Sequence, residues 1–208
     1  MQNQKKLFST VNLTKMALLS LIAVIIMQYT AIKLPNIFPS FLEIDFSEVP
    51  AIIGILTVHP LAGVVIVVIK NLLKAFVFGT NTAYVGELAN LAVSLGYILP
   101  LTFLAKKNKN IKTVTLGIIL GIVGITLVGA LINYFVMIPL YAQLFMPLEK
   151  IIDMGHMINP NIVDKLTLVL YAIIPFNILK GSVVAVVSIA LVKSMQPAIR
   201  YLAHRASN

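Results

Sequence analysis

The sequence predicts an all-α membrane protein, a bundle of six transmembrane helices with both termini in the cytoplasm. Three observations predict it. The 208 residues are 59% hydrophobic and only 11% charged, with a mean hydropathy of +0.98; a soluble core of this size would be wrapped in more polar surface. The apolar residues fall in runs long enough to cross a bilayer core of roughly 30 Å. The charges segregate. Lys5, Lys6, Lys15, Lys106, Lys107, Lys109, Lys112, Lys193, Arg200 and Arg205 stand in the tails, at span ends or in one internal loop, whereas all 7 acids stand in or beside the other loops. Counted by Lys and Arg, both tails and the 106–112 loop belong in the cytoplasm, which requires an even number of crossings.

The same composition narrows the function classes. A net charge of +9 suggests nucleic acid at first sight, but the lysines border apolar runs, so the charge orients the chain in the lipid bilayer and no nucleic-acid partner is expected. With no cysteine there is no disulfide, thiol nucleophile or Cys-based metal site.

The elements follow in order. Residues 13–32 form a first span of the length a bilayer requires, and no A-x-A-like cleavage site follows, so it reads as a span and not a signal peptide. Residues 33–48 are an acidic loop with Pro35, Pro39, Glu43, Asp45 and Glu48. The apolar run 49–78 is too long for one simple span and is interrupted by His59-Pro60. Proline disfavours helix in the residue before it and removes a donor, so the run divides into spans over 47–58 and 61–78, with His59 capping the break. Treating it as one span would give five crossings and put 106–112 outside. The fourth span is 85–104. The fifth, 113–138, carries Gly117, Gly121, Gly124 and Gly129, a small-residue stripe that lets helices approach. Residues 142–165 form a longer loop, and the sixth span is 166–192, kinked at Pro175, which leaves the carbonyl of Tyr171 without its helical donor. All of this is one transmembrane domain, residues 1–208.

The most informative residues lie in that last span. Asn177 and Lys180 are three apart and share a helix face. Lys180 has about a dozen mainly apolar residues on either side, and a charge at that depth costs about 2.5–3.5 kcal/mol or more, so it must face protein, water or a ligand. Glu87 in the first turns of the fourth span and Asn133 near the end of the fifth lie at the same side of the membrane. Together they supply an acid, two amides and a cation, a set suited to a flat heterocycle with carbonyls and ring nitrogens. The loop residues Phe41, Leu42, Ile44 and Phe46 supply apolar walls. Lys70 and Lys74 form a second stripe on the third span; Lys74 is placed to snorkel, and the deeper Lys70 needs a partner, for which Glu48 and Asp45 are candidates.

Enzymatic readings are weak. His59, His156 and His204 are scattered, with no metal-ligand spacing, and no Ser, His and acid form a nucleophile set. No catalytic or metal-binding residue is assigned, and the chain is not expected to be an enzyme. There is no phosphate-binding loop of the G-x-x-x-x-G-K-[ST] type, so uphill transport would draw on a gradient or a partner. Six spans without an inverted repeat fit poorly with a standalone secondary transporter.

Four stretches in order, F-L-E-I-D-F-S-E-V-P-A at 41–51, G-E-L-A-N at 86–90, N-Y-F-V-M-I-P-L-Y at 133–141 and I-P-F-N-I-L-K-G at 174–181, resemble the riboflavin-specific S component of energy-coupling factor (ECF) transporters. The resemblance covers nearly the whole chain, including its length, six-helix layout and basic cytoplasmic ends. It implies a multi-pass subunit of the bacterial plasma membrane that captures riboflavin with high affinity on the outer side. It further implies delivery inward by toppling in the membrane, in concert with a transmembrane coupling subunit and two ABC-type ATPases. Riboflavin is then the transported ligand and no cofactor is expected. The resemblance carries the ligand-binding role onto Glu87, Asn133, Asn177 and Lys180, with Leu42, Ile44, Asp45 and Phe46 over the isoalloxazine ring. It also implies docking of the coupling subunit through small residues of the first helix; the face built on Ala17, Ser20 and Val24 fits that pattern best. The loop 142–165 is longer than in the family's shorter forms. Alternatives are an S component for thiamine or a folate, a proton-coupled carrier working through the acids, and an intramembrane enzyme using Lys180 and Glu87. Thiamine is a cation and would favour acids and aromatics over Lys180, and the chain has no tryptophan.

Overall fold

The structure, a computed structural model, describes residues 7–80 and 82–207, with the backbone alone described at 196 and 198–207. The basic residues Lys5 and Lys6, and the side chains of Arg200, His204 and Arg205, therefore lie outside the described residues.

The first helix, α1, runs Thr10–Tyr29. It starts before residue 13 because Ser9 caps it, accepting the Asn12 N–H at 3.4 Å, which satisfies one of the open donors of the first turn. The chain beyond it is not a plain loop. Strand β1, Ile32–Lys33, pairs antiparallel with β2, Glu43–Ile44, with Ile32 opposite Ile44 and Lys33 opposite Glu43. That register turns Ile44 inward and leaves a Lys33–Glu43 ion pair of 3.2 Å in the open, where such pairs contribute little. The segment 33–47 is thus a closed strap across one end of the bundle.

Two short helices follow, α2 at Glu48–Thr57 and α3 at Ala62–Leu73, the latter extended by a π-helical turn over Lys74–Phe78. They lie antiparallel: Gly54 faces Ala62 and Ile66, Gly63 faces Ile55, and Lys70 reaches back to Glu48. The chain breaks between them at His59-Pro60. His59 Nδ1 accepts the Leu61 N–H at 3.1 Å. Burial, then the Lys109 and Lys106 charges, push the imidazole below its ordinary 6.5, in keeping with the neutral ring that this acceptor role requires. Lys109 crosses to the same corner and donates to the Leu56 carbonyl at 2.9 Å, closing the C-terminal end of α2.

Helices α4, Val85–Ala105, and α5, Ile111–Leu144, form the most extensive helix pair. They approach to backbone contact: a Cβ at Gly124 would run into the Gly96 carbonyl. The glycine stripe of α5 is accounted for by this packing, since helices in lipid associate through close van der Waals fit. α5 continues past 138, through a π turn at Asn133–Met137. Helix α7 likewise begins at Lys165–Leu168, passes through a π turn at Val169–Ile173 and continues as Ile174–Ser207. Each of these π turns lies just before a proline, Pro139 and Pro175. The wider turn absorbs the N–H that proline lacks without ending the helix.

The long loop 142–165 contains a helix of its own, α6 at Leu148–His156, with Ile151 and Gly155 buried and Glu149, Lys150 and Asp153 outside. It packs on the start of α7 through Ile162 and Leu168. Four of the helices are long and apolar enough to cross a membrane: Thr10–Tyr29, Val85–Ala105, Ile111–Leu144 and Lys165–Met195. At 10 residues, α2 is about 15 Å long, half a bilayer core. The central core joins α1 through α5 and the middle of α7, with Met16, Ile52, Ile55, Ile66, Tyr97 and Ile125 among its members.

Candidate ligand-binding site

The polar residues singled out in the sequence gather at the end of the bundle closed by the strap. They form two groups joined along α7. The first is built on α5 and α7. Asn177 is buried and donates its Nδ2 to the Ile173 carbonyl at 2.8 Å, while Asn133 donates to the Gly129 carbonyl at 2.8 Å. Both are four-residue back-bonds beside a π turn. They meet at Gly129, where an added Cβ would stand 2.6 Å from Asn177 Nδ2. Gly129 is therefore the gap that admits the Asn177 amide beside Asn133, and a side chain there would fill it. Each amide spends one N–H on its back-bond and keeps its carbonyl oxygen and second N–H for other partners.

The second group is the charge cluster. Lys180, 5% exposed, donates to Asp45 Oδ2 at 2.9 Å, and Asp45 is itself 4% exposed. The cation thus meets the strap carboxylate, 135 residues away in sequence, and not Glu87. Burial opposes ionisation of Asp45, but the Lys180 and Lys70 charges and the Ser47 hydrogen bond outweigh it and hold the carboxyl well below the usual carboxylate range. Lys70 is the other buried cation. It donates to Glu48 Oε1 at 3.0 Å and to the Ser47 hydroxyl, and Ser94 donates to the same Glu48 oxygen at 2.7 Å. Two lysines are thus balanced by two carboxylates wholly inside the protein, as buried charges require.

Glu87 is half-buried and accepts from the Thr80 and Thr82 hydroxyls at 2.9 and 3.1 Å. These threonines come from the tight turn before α4, in which Ala83 and Tyr84 take left-handed conformations of φ 47° and 67°, uncommon for residues with a Cβ. Asn90 and Ser94 continue the Glu87 face of α4 and join the cluster through an Asn90–Ser94 bond of 3.2 Å.

The strap seals this region. Phe38 and Ile44 pack on Phe176 of α7, the two rings edge-to-face at 5.3 Å, with Leu42 against them. Of the apolar strap residues, Ile44 is buried, Leu42 and Phe46 are half-buried, and Phe41 is exposed. A separate cleft of about 350 Å³ lies beside the strap, between Asn36, Ile37 and Pro39 on one side and Asn159, Pro160 and Tyr171 on the other. None of the ligand-binding residues expected from the sequence lines it.

The partner face expected on α1 is corrected by burial. Ser20 and Val24 are 0% and 1% exposed, and Ser20 donates to the Met16 carbonyl at 2.8 Å. Met16, Ser20, Ala23 and Val24 form the stripe that packs into the bundle, so of Ala17, Ser20 and Val24 only Ala17 points outward. Sequence reasoning also passed over Ser47, Ser94, Phe38 and Phe176. Ser94 alone had a readable signal, standing seven residues after Glu87 on one helix face. Among the described residues no group of acids and histidines is placed to hold a metal ion.

Comparison with known proteins places these features in a wider group. The family model described as ECF transporter, substrate-specific component, matches residues 11–192. The riboflavin transporter RibU of Staphylococcus aureus (strain TCH60) is 32% identical over 196 residues, 94% of this chain and 92% of that one. The riboflavin transporter FmnP of Bacillus subtilis (strain 168) is 35% identical over 162 residues, 76% of this chain and 79% of that one. Among solved structures, the S component of a bacterial ECF transporter superposes with a TM-score of 0.68 at 28% identity, over 90% of this chain and 96% of that one.

Proposed function

The chain belongs to the family of substrate-specific components of ECF transporters, and from that premise we propose that it is the riboflavin-binding subunit of a vitamin uptake transporter. One observation carries the choice of ligand. The two buried lysines of the candidate site are balanced within the protein, Lys180 by Asp45 and Lys70 by Glu48, and the half-buried Glu87 is held by the Thr80 and Thr82 hydroxyls. A ligand entering it has no charge to bring. Riboflavin is uncharged, whereas thiamine is a cation and folates are anions, and either would leave a buried charge uncompensated.

In this reading the amides of Asn133 and Asn177 address the edge of the isoalloxazine ring, with Lys180 supplying a donor to it. Glu87 accepts hydroxyls at the α4 side, and Leu42, Ile44 and Phe46 cover the ring with the Asp45 carboxylate among them. The strap side faces out of the cell, so the vitamin is captured there and released inward. The sequence carries no G-x-x-x-x-G-K-[ST] phosphate loop, and in this reading the energy comes from a transmembrane coupling subunit and two ABC-type ATPases. In this layout six helices are embedded in the bilayer, α1 to α5 and α7, of which the 10-residue α2 reaches only part of the way across, with both termini in the cytoplasm and α6 on the outer side of a bacterial plasma membrane. The coupling subunit meets α1 on the face that points away from the bundle, where Ala17 lies among Leu18, Leu21 and Ile25.

The test is direct. Purified protein carrying its ligand is yellow, and stripped protein quenches the fluorescence of added riboflavin at nanomolar concentration. A colourless protein that fails to quench overturns the proposal; quenching by riboflavin that thiamine and folate do not compete away supports it.

A further inference from the structure

Asp45 faces two buried cations, and only one of them touches it directly. Its Oδ2 takes the Lys180 ammonium at 2.9 Å. Its Oδ1 takes the Ser47 N–H at 2.9 Å and the Ser47 hydroxyl. A serine hydroxyl has one proton and two acceptor lone pairs, and a lysine ammonium can only donate. The direction of the chain is therefore fixed: Lys70 donates to Ser47 Oγ, and the hydroxyl proton goes on to Asp45. Lys70, Ser47 and Glu48 are each 0% exposed. Glu48 and Ser94 hold Lys70 in position from α2 and α4.

The consequence concerns what happens when Lys180 turns to a ligand. Asp45 is 4% exposed, and a carboxylate at that depth is costly without a cation. We propose that Lys70, acting through Ser47, is a positioning residue of the ligand site: the second counter-cation that keeps Asp45, and with it the 33–47 strap, in place while Lys180 is engaged by the ligand. This rests on the reading of Lys180 as a ligand-binding residue. The strap covers the site through Phe38 and Ile44 on Phe176, so weakening its anchor speeds the ligand's escape more than its entry.

Stopped-flow fluorescence with riboflavin on the full chain, in detergent or nanodiscs, tests this. Ser47→Ala removes the bridge and leaves the Lys70–Glu48 pair whole. The expected result is a dissociation rate raised on the order of tenfold, the scale of one lost hydrogen bond to a charged group, with association changed less than about twofold. In an Asp45→Asn background, where no carboxylate remains to be held, Ser47→Ala is expected to change dissociation by less than about twofold. An unchanged dissociation rate in the Ser47→Ala protein overturns the inference, and so does an equal rise in the Asp45→Asn background. Should Ser47→Ala fail to fold, Lys70→Met combined with Glu48→Gln removes the same cation without stranding a buried carboxylate, and is read the same way. Wild-type protein that does not bind riboflavin overturns the ligand reading; wild-type protein that binds while the variants behave as it does overturns this inference alone.

Discussion

Replacing Lys180 by Met removes an ammonium that is 5% exposed and leaves Asp45, 4% exposed, without its direct cation. Removing one partner of a buried ion pair costs about 3–5 kcal/mol, because the remaining charge is stranded away from water. Here the lower end applies, since Asp45 Oδ1 keeps the Ser47 N–H and hydroxyl; the expected loss is about 3 kcal/mol. Asp45→Asn strands the ammonium instead, whose hydrogen bond in the structure is the one to Asp45, so its cost is at least as large. The double variant removes both charges and restores an uncharged interior, and replacing such a pair by apolar groups is often neutral. Its loss should therefore be well below the sum of the single losses, with a coupling of about 3 kcal/mol, at the upper end for contacting residues. The assay is an unfolding titration in mixed micelles on the four proteins, without ligand. Losses that simply add would refute the argument, for they would mean that the two groups do not compensate each other. Fluorescence titration on the same set separates stability from binding. Lys180→Met should also weaken riboflavin by about 1–3 kcal/mol, and the double variant should regain stability without regaining affinity.

Three further outcomes are expected. Asn177→Ala removes an amide from the Gly129 gap and should cost riboflavin about 1–3 kcal/mol of affinity, while Glu87→Gln, at a carboxylate that accepts from the Thr80 and Thr82 hydroxyls, should lower affinity more than stability; wild-type affinity in a quenching titration of either variant removes that residue from the site. Gly124→Ala drives a methyl into the Gly96 carbonyl, so overpacking of about 1–3 kcal/mol should outweigh the helix preference of Ala over Gly of about 1 kcal/mol, and unfolding midpoints should fall; an unchanged midpoint would show that α4 and α5 separate freely. Against pH, the depressed Asp45 carboxyl contributes stability at every pH above the ordinary carboxylate range and loses it only as pH falls through its lowered folded value. His59, pushed below 6.5, makes the molecule less stable as pH falls through the unfolded value near 6.5, where only the unfolded chain readily takes the proton. Melting curves from pH 8 to 5 should therefore slope, and His59→Asn, not Asp45→Asn, should flatten them.

Local signals were the legible part of this molecule. The His59-Pro60 break shows in the helix bounds, because a proline and its predecessor act on their own neighbours. The glycines of α5 read as packing, and the structure puts Gly117, Gly121 and Gly124 against α4 and Gly129 against Asn177 of α7. Pro175, read by the same local rule as a kink, gave half the answer, and Pro139, just past the expected end of the fifth span at 138, behaves alike. Each perturbs its helix, but the perturbation is a π turn placed one turn earlier, so α5 and α7 continue past it. What local reading could not supply was depth and pairing. The strap read as an acidic, proline-rich loop whose apolar residues wall the site; the two-residue ladder between β1 and β2 that closes it leaves almost no pattern in so short a stretch. On α1 the small residues suggested a docking face, yet small residues serve equally to admit neighbours inside a bundle, and Ser20 and Val24 do that.

The same limit explains the candidate site. Asn177 and Lys180 could be placed together from their spacing alone, since three residues make one helix face. The partner of Lys180 could not, because Asp45 lies 135 residues away and is brought there by a strap fold that no periodicity announces. Depth nevertheless constrained the answer. A lysine in an apolar span demands a carboxylate or a ligand, and the chain has 7 acids to offer. Glu48 is taken by Lys70, Glu43 by Lys33 and Glu87 by two threonines, while Glu149, Asp153 and Asp164 stand in the 142–165 loop, which leaves Asp45 as the acid that completes the balance. That balance is what ties fold to function. Because both buried lysines are neutralised from within, an uncharged guest can enter and leave without stranding either of them.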